Sequence, residues 1–141
     1  MFKTETQYAL RAAAVLTHSG PALSITDIAA RTQSPAPMMA KVLYRLAQNR
    51  LVKGRPGPGG GYKLARPAKN IKLAEIVYVT EGPDFGRFCL FGMPECSDTD
   101  PCPLHNVWGP VRQHIFDMIE KFSVADLAAG KVKLSKRGKN K

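Results

Sequence analysis

Apolar residues recur at helical spacing through most of the first fifty positions. Ala9, Ala12, Ala13 and Leu16 share one face of a first helix, which Thr4-x-x-Gln7 can open with a capping box and Gly20-Pro21 closes. Ser24-x-x-Asp27 has similar capping geometry and starts a short second helix over 24–32. Ser34-Pro35 begins a third helix over 34–49, with a Ser N-cap and a proline at the first helical position, where no N–H is needed. Pro37 still lies in the first turn, and Val42, Leu43, Leu46 and Ala47 supply the buried stripe.

The pattern then changes period. Leu51-Val52-Lys53 and Tyr62-Lys63-Leu64 are short β-prone pieces flanking a Gly/Pro-rich tip, which predicts a hairpin. Three helices followed by a hairpin is the order of a winged helix-turn-helix, and the very short turn between the second and third helices suits its DNA-binding form. "IKLAEIVYVTEG" adds a short helix, and a loop from about Phe85 to Pro103 follows. A longer helix runs over 104–122. Trp108, Val111, Ile115, Met118 and Phe122 are spaced 3, 4, 3, 4 along it, an a/d seam that calls for a partner, most simply a second copy. Pro110 predicts a kink, or a late start near Gly109. Ser123 caps a last short turn.

The expected fold is mainly α with a small β-hairpin wing: a winged helix-turn-helix over 1–72, a connecting helix and cysteine loop over 73–103, a long C-terminal dimerisation helix region over 104–130, and a disordered basic tail over 131–141.

Charge sharpens this picture. Residues 1–72 carry twelve Lys/Arg against two acids, residues 73–130 three against nine, and residues 131–141 six and no acid, within an overall net charge of +10. A basic first part facing a polyanion, beside an acidic part that is not, fits a nucleic-acid binder with a separate sensing or assembly region. No apolar run approaches the ~20 residues that span a bilayer, and the N-terminus lacks a signal-peptide core, so a cytoplasmic location is expected. Nothing in the chain has the acid/base or nucleophile constellation of an enzyme.

In the third helix, Pro35, Ala36, Met38 and Met39 are expected to face base edges, with Lys41 and Arg45 one to two turns on. That surface is poor in hydrogen-bonding groups, so apolar and phosphate contacts should dominate. In the wing, Gly57, Gly59 and Tyr62 belong to a run whose glycines permit close approach to DNA, and Arg55 and Lys63 supply charge at its base. A purely structural glycine turn is the alternative.

All three cysteines fall within fourteen residues: Cys89, Cys96 and Cys102, with His105 three positions after the last. An odd number in a reducing compartment argues against a disulfide framework. The spacing lacks the C-x2–4-C pairs of tetrahedral zinc modules. Three thiolates on one loop can wrap an iron–sulfur cluster, with imidazole as a fourth ligand. A zinc site, a thiol redox switch and inert core cysteines stay open on spacing alone.

"QYALRAAAVL" at 7–16, "SITDIAAR" at 24–31, "VLYRLAQNRLV" at 42–52, "GPGGGY" at 57–62 and the cysteine loop ahead of a long helix together resemble the Rrf-two family of bacterial winged-helix transcriptional regulators. The resemblance covers essentially residues 1–130. It implies a homodimer on a palindromic operator of double-stranded DNA, with a cluster held by Cys89, Cys96 and Cys102. In the nitric-oxide-sensing branch a carboxylate of the first helix completes the cluster; here that position is Gln7, with Glu5 nearby. In the iron–sulfur-regulator branch a histidine soon after the third cysteine does so, and His105 matches it, which favours 2Fe–2S over 4Fe–4S. The polar recognition-helix residues of that branch are replaced by Met39, Ala40 and Lys41, and the wing arginine stands one position early, at Arg55. The competing expectation is a cluster-free winged-helix regulator that answers thiol oxidation, a small ligand or a partner protein.

Overall fold

The computed structural model describes residues 2–55 and 58–130. The elements run α1 (Thr4–His18), α2 (Ile25–Thr32), α3 (Ala36–Gln48), β1 (Val52–Arg55), β2 (Gly61–Leu64), a 3-10 turn (Ala68–Asn70), α4 (Leu73–Glu81), α5 (His105–Lys121) and α6 (Val124–Ala128). The expected basic tail over 131–141 and the tip residue Gly57 lie outside the described residues.

One core serves the whole molecule. Ala9, Ala12, Ala13 and Leu16 of α1 pack with Ile28 of α2 and with Val42, Leu43 and Leu46 of α3. The same core takes in Ile76 and Val77 of α4, Ile119 of α5 and Val124 of α6. Thus α1–α3 and the later helices share apolar surface, and a shift in one reaches the other through close-packed side chains.

The capping pattern is partly as expected. Ser24 caps α2, its Oγ accepting from the Asp27 N–H at 3.1 Å. Thr4, however, already lies inside α1, so its side chain is one position too late for the expected capping box with Gln7. The exposed donors of α1 are met instead from α4: Glu81 Oε2 accepts from the Lys3 N–H at 2.7 Å and from Thr6 Oγ1 at 2.5 Å. Helix α3 starts at Ala36 with Pro35 as its N-cap residue, while Ser34 exchanges a hydroxyl hydrogen bond with Thr32 at 2.8 Å.

The two strands pair antiparallel in the register Val52↔Leu64 to Arg55↔Gly61. The hairpin is also tied to the segment before α2, because Leu23 and Tyr62 exchange both backbone hydrogen bonds, at 2.9 and 2.7 Å. Gly61 makes that approach possible. Its φ is +141°, and a Cβ there would lie 2.2 Å from the Leu23 carbonyl oxygen. Gly61→Ala is therefore expected to cost at least ~1–3 kcal/mol of stability and loosen the wing, read as a lowered thermal midpoint. An unchanged midpoint would show that the wing detaches without penalty. Helix α5 runs unbroken through Gly109 and Pro110, so it does not start late.

Candidate functional site

Two groups of residues stand out, and the first is the exposed face of α3 with the wing. Because the buried stripe of α3 is Met39, Val42, Leu43 and Leu46, the opposite face carries Pro37, Lys41, Tyr44 and Gln48, all exposed. Pro35, Ala36 and Lys41 are exposed as expected, and Met38 is half-buried against the core. Met39 is a correction. Its side chain is 0% exposed and belongs to the core, one helical step back along the stripe through Val42 and Leu43, so it presents nothing to DNA. Met39→Ala should accordingly cost about 2–5 kcal/mol of stability in a denaturant titration. It should leave the sequence preference of the folded protein unaltered; a changed preference would return Met39 to the reading surface.

Arg45, its side chain 40% exposed, pairs with Glu5 of α1 at 3.0 Å, so the cation expected near DNA and the carboxylate considered as a cluster ligand lie side by side. Tyr44, by contrast, was not anticipated: it is 63% exposed, and its phenol oxygen accepts from Gln48 Nε2 at 3.2 Å. The signal was an aromatic residue on the polar side of an otherwise well-ordered amphipathic helix.

Arg55 and Lys63 are exposed on the wing strands, and Gly59 lies at the tip with φ +73°. Tyr62 is half-buried, its ring lying over Gly54, where a Cβ would meet it at 3.1 Å; it braces the hairpin. One cleft, of about 470 Å³, lies between the start of α2 and the wing and is lined by Ser24, Arg55 and Gly61. A second, of about 530 Å³, lies between the hairpin and the Gly20–Ala22 segment and is lined by Lys53, Arg55 and Lys63. Cations therefore line both clefts beside the wing.

The second group is the loop between α4 and α5. It is anchored at its start by Phe85, which stacks on Phe2 at 5.5 Å and meets Tyr78, Phe88 and Phe116 edge-on or tilted. Arg112 of α5 donates to the Gly86 carbonyl at 2.6 Å, and Cys96 N–H donates to the Arg87 carbonyl at 2.9 Å. Trp108 packs on Phe88 with ring centroids 5.3 Å apart.

All three cysteines carry free thiols. Burial pushes the Cys89 thiol up, but hydrogen bonds to its sulfur from the Met93 backbone, from the Cys102 side chain and from the Phe91 and Gly92 backbones outweigh it, and its pKa is lowered. Cys102 moves the other way: burial, its hydrogen bond to Cys89 and the charges of Cys89 and Cys96 raise it, against a backbone bond from Leu104. The three sulfurs thus sense one another. Cys96 Sγ lies 3.4 Å from His105 Nδ1, and His105 Nε2 lies 2.7 Å from Asp98 Oδ1. Asp98, absent from the expected site, orients the imidazole through Nε2. Among the described residues, no three His, Cys, Asp or Glu side chains close around a single metal ion.

The expected seam on α5 divides in two. Trp108 is only 6% exposed and faces its own loop, and Phe122 packs on the core. Val111 and Met118 are exposed and are joined by Leu104 and Val107, the last 72% exposed, while Ile115 is half-buried. The inward face is Trp108, Arg112, Phe116 and Ile119.

A helix-turn-helix, a wing pinned to it, and cations around both define a winged-helix DNA-binding protein. Its sequence matches the family model Rrf2, described as iron-dependent transcriptional regulator, over residues 2–130. The chain belongs to the Rrf2 family, and it is a transcriptional regulator, not an enzyme. It is 31% identical over 115 residues to the HTH-type transcriptional regulator IscR of Photorhabdus laumondii, covering 81% of this chain and 68% of that one. In structure it is similar to CymR, the global cysteine regulator of B. subtilis, with a TM-score of 0.77, 22% identity and coverage of 92% and 96% of the two chains. It is also similar to T. potens IscR, with a TM-score of 0.73, 24% identity and coverage of 96% and 93%. Among the described residues no helix is long and apolar enough to cross a membrane.

Proposed function

We propose that the chain is a homodimeric regulator that binds a palindromic operator in the cytoplasm and senses iron, redox state or nitric oxide through an iron–sulfur cluster. The observation that carries this reading is the gathering of Cys89, Cys96 and Cys102 in the loop between α4 and α5, with His105 at the first position of α5 beside Cys96. The donor set fits a cluster: three free thiols within one loop and an imidazole already placed beside Cys96. Bound there, a 2Fe–2S cluster would supply a redox-active group whose charge and integrity change with the signal. His105 would offer Nδ1 while Nε2 is held by Asp98. Protein purified without oxygen should be brown, with charge-transfer absorption and bound iron. Colourless, iron-free protein that still binds DNA would reject the cluster.

The residues of the chain carry the coupling. Phe85 ties the loop to Phe2, two residues before α1, and Glu81, at the end of α4, caps α1. Arg112 and Trp108 tie the same loop to α5. Ordering the loop would therefore bias α1 and α5 together, and with them the separation of two α3 helices across a dimer. On DNA, α3 would enter the major groove and the wing would follow the backbone, with Arg55 and Lys63 on phosphates.

The exposed apolar residues Leu104, Val107, Val111 and Met118 at and along α5, with half-buried Ile115 beside them, are the proposed contact with the second copy. Val111→Asp should yield monomers by light scattering while helix content is kept; an unchanged mass would place the interface elsewhere.

A second reading, thiol sensing without a cluster, is favoured by the lowered pKa of Cys89 and by the Cys96–His105–Asp98 chain, in which a base stands beside a thiol and a carboxylate orients the base. Colourless protein whose DNA affinity responds to oxidant and recovers with thiol reductant would establish it.

A further inference from the structure

The start of α3 offers DNA almost nothing to hydrogen-bond with. Ala36, Pro37, Met38, Met39 and Ala40 have no donor or acceptor side chain, and Arg45 is paired with Glu5. The polar groups left on the outward face are those of Lys41, Tyr44 and Gln48. Gln48 and Tyr44 stand one helical turn apart and are already joined, with Gln48 Nε2 donating to the phenol oxygen at 3.2 Å. That bond uses an acceptor lone pair of the phenol and one proton of the amide. It leaves the phenolic O–H as a donor and Gln48 Oε1 as an acceptor, side by side on the exposed face.

A donor beside an acceptor is the complement of one base edge. In the major groove adenine presents its N7 acceptor next to its N6 amino donor, whereas guanine presents two acceptors, cytosine a donor, and thymine an acceptor with a methyl group. We propose that Tyr44 and Gln48 act as a joined pair that reads one adenine in each half of the binding site, the Tyr44 hydroxyl donating to N7 and Gln48 Oε1 accepting from the N6 amino group. The proposal rests on α3 entering the major groove, as set out above. It places the base reading in the middle and last turns of the helix, and leaves the first turn to apolar contact. Lys41, one turn before Tyr44 on the same stripe, is a single cation and holds the helix to the backbone.

The test uses the full-length protein purified without oxygen and a library of random-sequence duplexes, from which the wild type selects its sites. One A·T pair in each half-site should then be found whose replacement lowers affinity by about 5- to 150-fold, the range of a good two-bond base contact. In the Tyr44→Ala, Gln48→Ala double variant that penalty should fall below about twofold, while affinity for random duplex changes little. Gln48→Glu offers acceptors only and should move the preference at that position from adenine toward cytosine. An adenine penalty that survives the double variant overturns the proposal, as does an equal loss on selected and random DNA or a G·C pair at the position read. Failure of the wild type to bind any duplex would reject the DNA-binding reading itself, and the pair with it.

Discussion

Raising salt from about 50 to about 200 mM is expected to weaken DNA binding by roughly 10³–10⁵-fold. The size follows from the cations on the interface. Around α3 and the wing, Lys41, Lys53, Arg55 and Lys63 are exposed and, among the described residues, in no ion pair. Arg45, Arg66 and Lys72 are already matched by Glu5, Glu75 and Glu120. Four such side chains in each copy make eight in a dimer, within the ~6–10 phosphates for which a loss of that size is usual. Titration at several salt concentrations by fluorescence anisotropy gives the slope directly. A flat salt dependence would mean that these cations do not meet phosphates. A slope about half as steep would mean that only one copy engages.

The second large effect lies in the loop. If the proposed cluster is held by Cys89, Cys96 and Cys102, Cys102→Ala is expected to remove the visible absorption and the iron completely, because one of three thiolates is lost and the sequence has no fourth cysteine to replace it. The variant should then bind the operator with the affinity of iron-depleted wild type, which should differ from that of the loaded protein by about 5–150-fold, the usual scale of coupling between two sites. Both proteins must be compared at one salt concentration, since the electrostatic term is larger than the coupling. Iron retained in full by the variant would displace Cys102 from the ligand set. Equal affinities of loaded and depleted wild type would leave a cluster with no regulatory part.

The sequence carried the fold well where one stripe of apolar residues had one use. The faces of α1 and α3, the cap at Ser24 and the order of helices and hairpin are all as periodicity predicts. Met39 shows a boundary effect: it lies three residues before Val42 and four before Leu43, so the stripe already contained it, but its place in the first turn of a presumed reading helix outweighed that. Helix α5 shows a deeper limit. Apolar side chains lie on two of its faces, and periodicity cannot say which covers the chain's own loop and which is left outward; only the packing of Trp108 on Phe88 separates them. Glu81 could not have been foreseen as the cap of α1, since it lies 78 residues from Lys3 and only the tertiary fold brings them together. The cysteine loop was legible as a gathering of thiols, yet Asp98 beside His105 was not, because an aspartate in a polar loop has no distinctive spacing.

The pinning of the wing by Leu23, Gly61 and Tyr62 bears on how such a regulator can acquire new target genes. A hairpin hydrogen-bonded to the segment before α2 cannot be re-aimed by small backbone changes without straining Gly61 against Leu23. If the outward face of α3 reads DNA as proposed, mutational drift in target choice would be channelled away from the scaffold and onto Pro37, Lys41, Tyr44 and Gln48, which are all exposed. Paralogues descended from such a chain could diverge in regulon through these few codons while inheriting the same sensor, so that one signal comes to govern separate sets of promoters without cross-talk between them.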